Sequence, residues 1–295
     1  MATTTSPAHT RQKSRQQPDS GSGVNFGRVL KSEWIKVTTV PSTVILIVST
    51  VIVMVGLAAL FAWALTMTQQ AVTDPNLPAE FQPPSDGPGS PAYDALTVPS
   101  SGLVFGQLLI ASLAVVLIAS EWTTGMIRST MVAVPKRIPA LLAKTIIIAV
   151  VAFAVGAFSA VVSYFVAQPI LGGESIDYAI TEDGVLASII NTGTFLALVA
   201  VISIAIGMLL RNTAGGVVTA VGIFFALPII VQLISGLADW IPDAARFLPA
   251  DAGTAMLAIT AAEDALTQWE GGLVMGAWAL VLLLVSLLVT KVRDV

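Results

Sequence analysis

One apolar run decides the fold class of this chain: residues 44–65 read VILIVSTVIVMVGLAALFAWAL. An α-helix needs about 20 mostly apolar residues to cross the hydrocarbon core of a bilayer. The run does not alternate apolar with polar residues, as the strands of a membrane β-barrel do. An open strand in lipid would also leave its backbone groups unpaired. The run therefore predicts a transmembrane helix.

The whole chain has the composition of a membrane protein. Of its 295 residues, 55% are hydrophobic and only 11% are charged, whereas soluble proteins carry about 25% charged residues. A disordered chain is excluded, because such chains are poor in apolar residues and rich in charge. Six stretches are long enough to span a bilayer and contain no Asp, Glu, Lys or Arg: 43–66, 101–120, 145–166, 186–210, 216–237 and 271–290. We expect an all-α membrane protein with six transmembrane helices, whose transmembrane domain covers residues 25–295.

The positive charges are divided unevenly between the two sides of such a bundle. One side would carry residues 1–42, 121–144, 211–215 and 291–295. These segments hold every Lys and Arg except Arg246, while the three opposite loops hold 14 of the 18 acidic residues. Because cytoplasmic loops are enriched in Lys and Arg, both termini are expected in the cytoplasm, with the chain in the cell membrane.

Several kinds of chemistry lack the residues they need. The chain has no cysteine, which excludes disulfides and thiolate-held metal sites. Its single histidine, His9, lies in a polar N-terminal stretch. No Gly-Lys pair occurs, so a Walker A phosphate loop is absent. We therefore expect no catalytic, cofactor-binding or metal-binding residue, and we expect this chain not to be an enzyme.

Two segments precede the first span. Residues 1–24 are polar and predict a disordered cytoplasmic tail. Residues 24–40 predict an amphipathic helix that ends before Pro41. Its apolar face would contain Phe26, Val29, Leu30, Trp34 and Val37, with Glu33 as an exception within that face and Lys36 to one side. This helix is either a plain flank of the first span or an interfacial helix that sets the angle of that span.

The loop between spans two and three keeps apolar residues that a solvated connector does not need. Residues 121–137 read EWTTGMIRSTMVAVPKR. Residues 125–134 predict a short helix that ends at Pro135. Its apolar side chains need a partner, which is either the membrane surface or another protein.

The last outer loop and the spans contain a few further signals. The loop predicts short surface helices broken at Pro242 and Pro249, as a lid over the spans or as an interfacial connector anchored by Trp240 and Trp269. The pairs Gly102/Gly106 and Gly272/Gly276 predict close helix packing, with dimerisation as the alternative. Pro228 predicts a kink in span five. Hydrogen bonds to neighbouring helices are expected for Gln107, Asn191 and Gln232.

Two segments together resemble a known family. Residues 32–36 (SEWIK), followed by 38–43 (TTVPST), resemble the opening of actinobacterial ABC-2-type transporter permeases. Residues 121–130 (EWTTGMIRST), with Pro135, Arg137 and Lys144, resemble the cytoplasmic signature of that family between spans two and three. Tyr or Phe is as usual as Trp122 in this signature, and a cation often stands in place of Thr123. Neither departure changes the resemblance.

The resemblance implies the permease subunit of an exporter. A second copy or a homologous permease would pair with it, and a separate cytoplasmic ABC ATPase would use ATP and Mg. The ATPase-coupling residues would be Glu121, Trp122, Thr124, Gly125, Met126, Ile127, Arg128, Pro135 and Arg137. The interfacial helix would present Phe26, Leu30, Glu33, Trp34 and Lys36. No nucleic acid is expected among the partners.

The uncharged spans favour an amphiphilic or hydrophobic substrate over a small ion. The alternative function is a non-transporting membrane scaffold or sensor subunit that docks a different cytoplasmic protein. An ion-coupled carrier is disfavoured, because such carriers place ionisable residues within their spans.

Overall fold

The computed structural model describes residues 25–292, apart from 75, 77, 79, 81, 83, 86, 127–136 and 260–264. All regular structure in this described part is helical. Six of its helices are long and apolar enough to cross a membrane, which confirms the six predicted spans. The predicted N-terminal tail and most of the predicted loop helix lie outside the described residues.

A pre-span helix (Phe26–Thr39) comes first. The spans are Pro41–Thr73, Leu103–Thr123, Arg137–Leu171, Val185–Leu210, Thr213–Ile234 and Gln268–Val292, numbered here 1 to 6. Short helical segments lie between them: Pro91–Ala95, Val98–Ser100, Gly172–Glu174, Ser235–Leu237, Trp240–Ala245 and Pro249–Ala255. Spans 1 and 3 are longer than predicted, because each helix continues beyond the predicted apolar stretch.

Span 4 forms the centre of the bundle and packs against spans 2, 3, 5 and 6. Over its 18 most apolar residues, 67% are buried within the chain, whereas the corresponding share for span 5 is 11%. Glycines allow spans 3 and 4 to touch backbone to backbone. A Cβ on Gly156 would lie 2.9 Å from the Cα of Gly193, and one on Gly193 would lie 2.8 Å from the carbonyl oxygen of Phe153.

The first predicted glycine pair packs inside the chain. A Cβ on Gly102 would collide with the carbonyl oxygen of Met54, and one on Gly106 would lie 2.6 Å from the sulfur of Met54. At the second pair the register differs from the prediction. Gly271 makes the close contact, with the carbonyl of Ala252, whereas Gly276 faces open space.

Span 5 changes its helical geometry where Pro228 follows. Its first part, Thr213–Val221, leads into a π-helical turn, Gly222–Ala226. Proline has no N–H to give to the carbonyl four residues earlier, which here is that of Phe224. Gln107 Nε2 of span 2 donates to this carbonyl at 3.4 Å. The predicted hydrogen bond of Gln107 to a neighbouring helix is confirmed, and Pro228 is accommodated by a π-turn.

The loop between spans 5 and 6 is anchored to the spans beside it. Asn191 Nδ2 of span 4 donates to the carbonyl of Met256 at 2.7 Å, and Trp278 Nε1 of span 6 donates to that of Phe247 at 2.9 Å. The predicted break at Pro242 is wrong, since this residue lies in the first turn of Trp240–Ala245, where a missing N–H costs little. Pro249 likewise begins its helix.

The remaining predicted polar and aromatic positions, which lie at the end of span 5 and in the loop that follows it, are exposed. Gln232 lies exposed on span 5. Trp240 and Trp269 have exposed fractions of 67% and 75%, as side chains that face a membrane–water interface would have.

Candidate functional site: a charged cluster joining the pre-span helix to spans 2 and 3

Four charged side chains meet at one end of the bundle. The ammonium nitrogen of Lys144 lies 2.8 Å from Glu33 Oε2 and 2.8 Å from Glu121 Oε1. That of Lys36 lies 2.6 Å from Glu33 Oε1 and 3.2 Å from Glu121 Oε1. Each ammonium therefore bridges two carboxylates, and the four groups form a closed ring without net charge. We call these four residues the charged cluster.

Three of the four residues of the charged cluster are buried. Glu33, Glu121 and Lys144 are only 4%, 3% and 5% exposed, whereas Lys36 is half-buried at the rim. Taking a charge out of water costs several kcal/mol unless it is paired and hydrogen-bonded. Each of the three buried charges is paired here. The ring therefore holds the pre-span helix, the end of span 2 and the start of span 3 in one arrangement.

The ring shifts the pKa of two groups on the pre-span helix. Burial disfavours the charged form of Glu33, but the ammonium groups of Lys144 and Lys36 outweigh it and hold the pKa of Glu33 below its ordinary value. Burial also disfavours the charged form of Lys36. The carboxylates of Glu33 and Glu121 outweigh that effect and raise the pKa of Lys36 above its ordinary value.

These directions predict a loss of stability at both pH extremes. A carboxyl with a lowered folded-state pKa stabilises the fold above its unfolded-state value, and this contribution is lost as the pH falls through the folded-state pKa. A lysine with a raised pKa stabilises the fold below its unfolded-state value and loses that contribution as the pH rises through the folded-state pKa. We expect the melting temperature in detergent to fall at both ends of a pH titration.

Single substitutions separate the acid limb of that titration, where stability falls at low pH, from the alkaline limb, where it falls at high pH. Glu33→Gln should flatten the acid limb, and Lys36→Met the alkaline limb. Lys31→Met, on the exposed side of the same helix, should change neither. An acid limb of equal slope in Glu33→Gln would show that other carboxyls cause it.

The pre-span helix presents Glu33 because the face that packs against the bundle is centred on this residue and includes only part of the predicted apolar face. Asn25 caps the helix by accepting from the backbone N–H of Gly27 at 3.2 Å. The buried residues are Val29, Glu33 and Val37, four apart and therefore on one face. Of the predicted apolar face, Phe26 and Trp34 are exposed. Glu33 is thus the centre of the packed face and not an exception within it.

Small residues of span 3 receive this face. Val29 and Leu30 pack against Ala140 and Ala143, which lie one turn apart near the start of span 3. Their small side chains let the two helices approach closely. Lys144 follows directly in the chain and points its ammonium group at Glu33. The close contact between the helices thus brings the two charges together.

The end of span 2 also contacts the link between spans 4 and 5. The guanidinium carbon of Arg211 lies 4.1 Å from the ring centroid of Trp122, within the range of a cation–π interaction. Thr124 donates its hydroxyl to the carbonyl of Ser120 at 2.7 Å. Gly125 then turns the chain out of the helix with a φ of +72°, and Met126 is exposed.

The structure describes the predicted coupling residues only in part. Glu121, Trp122, Thr124, Gly125 and Met126 lie together at the end of span 2. Ile127, Arg128 and Pro135 lie outside the described residues. Arg137 begins span 3, and its side chain is likewise not among the described ones.

Two partnerships at this site were missed by reasoning from the sequence. The sequence pattern assigns Lys144 only to the motif that carries the resemblance, and Arg211 only to the cations of residues 211–215. The signal that could have found them is their position, since each charge stands directly at the end of a long apolar segment. A charge at that depth needs an opposite charge or a ring to compensate it.

A cavity of about 370 Å³ adjoins the charged cluster, and we call it the inner cavity. It lies between the pre-span helix and spans 1, 2 and 3. All four residues of the charged cluster contribute to its wall. Most of the remaining wall is apolar, including Val37, Leu113, Val116, Leu117, Ile147 and Ile148.

A comparison of the chain with models of known protein families and with curated proteins found no match.

Proposed function

We propose that this chain is the permease subunit of an ABC-2-type exporter. It moves an amphiphilic or hydrophobic substrate across the cell membrane, with both termini in the cytoplasm. The energy comes from ATP, hydrolysed with Mg by a separate cytoplasmic ATPase. A second copy, or a homologous permease, completes the membrane part.

The observation that carries the proposal is the charged cluster at the two ends of the loop between spans 2 and 3. Glu121 lies at the end of span 2 and Lys144 near the start of span 3. Both are bound to the pre-span helix, Glu121 through Lys36 and Lys144 through Glu33. A force applied to the loop would therefore reach the pre-span helix and two spans together. Such a connection is what a coupling loop needs if it is to pass motion from an ATPase to the membrane.

The exposed end of span 2 supports the same function. Met126 is 45% exposed directly after the turn at Gly125, and the sequence of the loop that follows keeps several apolar residues. Each nucleotide state of the ATPase must then bind one permease conformation better than another, since a ligand shifts an equilibrium only by its differential affinity.

Purification from native membranes tests the proposal. The tagged chain should bring with it a protein that contains a Walker motif and hydrolyses ATP. Gly125→Pro should reduce the bound ATPase about tenfold, equivalent to about 1.4 kcal/mol of docking free energy. Proline cannot adopt the φ of +72° at this position, so the loop must leave the helix in another direction, while the charged cluster is untouched.

A matched control is Gly87→Pro, on the opposite side of the membrane from the proposed ATPase. Gly87 has a φ of +76° in an outer loop with open space around it, so Gly87→Pro imposes the same backbone conflict far from the ATPase. It should leave the bound ATPase unchanged. Capture of a cytoplasmic protein without ATPase activity would favour the scaffold or sensor function and would contradict the proposal.

A further inference from the structure

An apolar groove runs along spans 1 and 3 and ends at the pre-span helix. It has a volume of about 550 Å³, and we call it the lateral groove. Three elements form its wall, and representative lining residues are Trp34 and Thr38 of the pre-span helix, Val44 and Val51 of span 1, and Val151 and Phe158 of span 3. The groove opens sideways from the bundle, because Trp34, Val44 and Phe158 are 47%, 39% and 59% exposed.

The length and the lining of the lateral groove match a hydrocarbon chain. Val44 and Val51 are seven residues apart, as are Val151 and Phe158, so each wall is about 10 Å long at about 1.5 Å per residue. This is most of one leaflet, which is about 15 Å of the hydrocarbon core. Apart from two residues of the pre-span helix, every lining residue is aliphatic or Phe. Of those two, Thr38 donates its hydroxyl to a carbonyl of its own helix at 2.9 Å. Water therefore finds few partners in the groove, whereas a hydrocarbon chain packs against its wall.

Two cations of the pre-span helix remain after the charged cluster is balanced. Within the cluster two lysines cancel two glutamates. Arg28 and Lys31 are exposed, and neither forms an ion pair with another described residue. Lys31 stands three residues before Trp34 and seven before Thr38, so these three residues share one side of the helix. Because Trp34 and Thr38 line the lateral groove, Lys31 lies on the side of the helix that borders it, with Arg28 one turn earlier.

These charges decide which occupant fits the lateral groove. Residues 1–24 are too polar to fill an apolar groove. A second copy in a two-fold contact would bring the same patch to the groove, so its own Arg28 and Lys31 would repel those already there. An anionic phospholipid brings a hydrocarbon chain together with a negative headgroup, which Lys and Arg attract at a membrane surface. A zwitterionic phospholipid has the same chains, but its headgroup carries a cation that weakens this attraction.

We propose that the lateral groove binds one acyl chain of an anionic phospholipid whose phosphate lies at Lys31 and Arg28. The lipid belongs to the leaflet beside the pre-span helix, which is the cytoplasmic leaflet in the proposed orientation. It fills the space between this helix and spans 1 and 3, and so holds the helix at the membrane surface. The inference goes beyond the proposed function, because the groove and its cations require neither an ATPase nor a transported substrate.

Lipid titration of the purified full-length protein in a neutral detergent, followed by native mass spectrometry, tests the site. The probes are dioleoyl phosphatidylglycerol, which is anionic, and dioleoyl phosphatidylcholine, which is zwitterionic and has the same chains. One cation near a membrane surface contributes about fivefold in affinity, so phosphatidylglycerol should bind at least about fivefold more tightly. The double variant Arg28→Met/Lys31→Met leaves the charged cluster intact and should remove this preference. Equal affinities of the unaltered protein for the two lipids would overturn the proposal.

Two exposed alanines provide a matched pair of variants for the groove itself. Ala154 of span 3 lines the lateral groove, whereas Ala64 of span 1 does not. Ala154→Phe should fill the groove and abolish the tight binding of phosphatidylglycerol, and Ala64→Phe should leave it unchanged. Both alanines lie on the outside of the bundle, so neither ring has to enter the core.

Two further results would overturn the proposal. Residues 1–24 contain three other cations, Arg11, Lys13 and Arg15. Lipid held by these cations alone would stay tightly bound both in the double variant and in Ala154→Phe. A lipid-free dimer that Ala154→Phe converts into monomers would show that a second copy of the chain occupies the lateral groove.

Discussion

Lys144→Met is expected to lower the free energy of unfolding by about 3–5 kcal/mol, because it leaves buried carboxylates without their shared cation. Glu33 and Glu121 are both nearly inaccessible to water and both contact the Lys144 ammonium at 2.8 Å. Lys36 remains, but it is half-buried and can neutralise only one of them. The effect therefore reflects two buried charges, and not the small value of a surface ion pair.

The melting temperature of the detergent-solubilised protein, followed by tryptophan fluorescence, measures this effect. A fall of about 6 °C or more is expected. Lys31→Met removes an exposed lysine from the pre-span helix and should change little. The double variant Lys144→Met/Glu121→Gln restores neutrality and should recover most of the loss. If Lys144→Met melted like Lys31→Met, the charged cluster would not stabilise the bundle.

Gly193→Val is expected to lower the free energy of unfolding by at least about 1–3 kcal/mol, the usual range for overpacking a core. The first added carbon would lie 2.8 Å from the backbone oxygen of Phe153 and would also crowd the side chain of Ala157. A backbone atom cannot rotate away as a side chain can. Spans 3 and 4 must therefore separate, and span 4 is the centre of the bundle.

Gly276→Val is the matched control for this change. Gly276 also lies within a span, but nothing approaches its position within 4 Å, so the same substitution there should be nearly neutral. Thermal melting and the yield of monodisperse protein compare the two variants. Equal behaviour of Gly193→Val and Gly276→Val would mean that the close contact between spans 3 and 4 does not limit stability.

The spans were predictable because each is encoded locally. A run of uncharged apolar residues suffices to predict a helix in lipid, whatever its neighbours are. Pro228 and Gln107 were also singled out individually, since a proline and a buried amide are unusual at membrane depth. Their cooperation at the carbonyl of Phe224 was not predictable, because it depends on which spans are adjacent.

The charged cluster shows more clearly that a contact between distant segments is not predictable from either segment. Within the pre-span helix, Glu33 looked like a flaw in an apolar face, because helical periodicity considers one helix at a time. Its partner Lys144 belongs to another helix, far along the chain. The packing of Val29 and Leu30 on Ala140 and Ala143 helps to bring the two together. Such a pairing follows from tertiary contact and has no signature in either segment alone.

The neutrality of the charged cluster has a consequence for what can drive its movement. A transmembrane voltage does work of about 2.3 kcal/mol per elementary charge for each 100 mV crossed. Two positive and two negative groups displaced together along the bilayer normal sum to zero, so this work vanishes. The electrical potential of the cell would neither push nor hold this junction, and its movement would need a chemical or mechanical source.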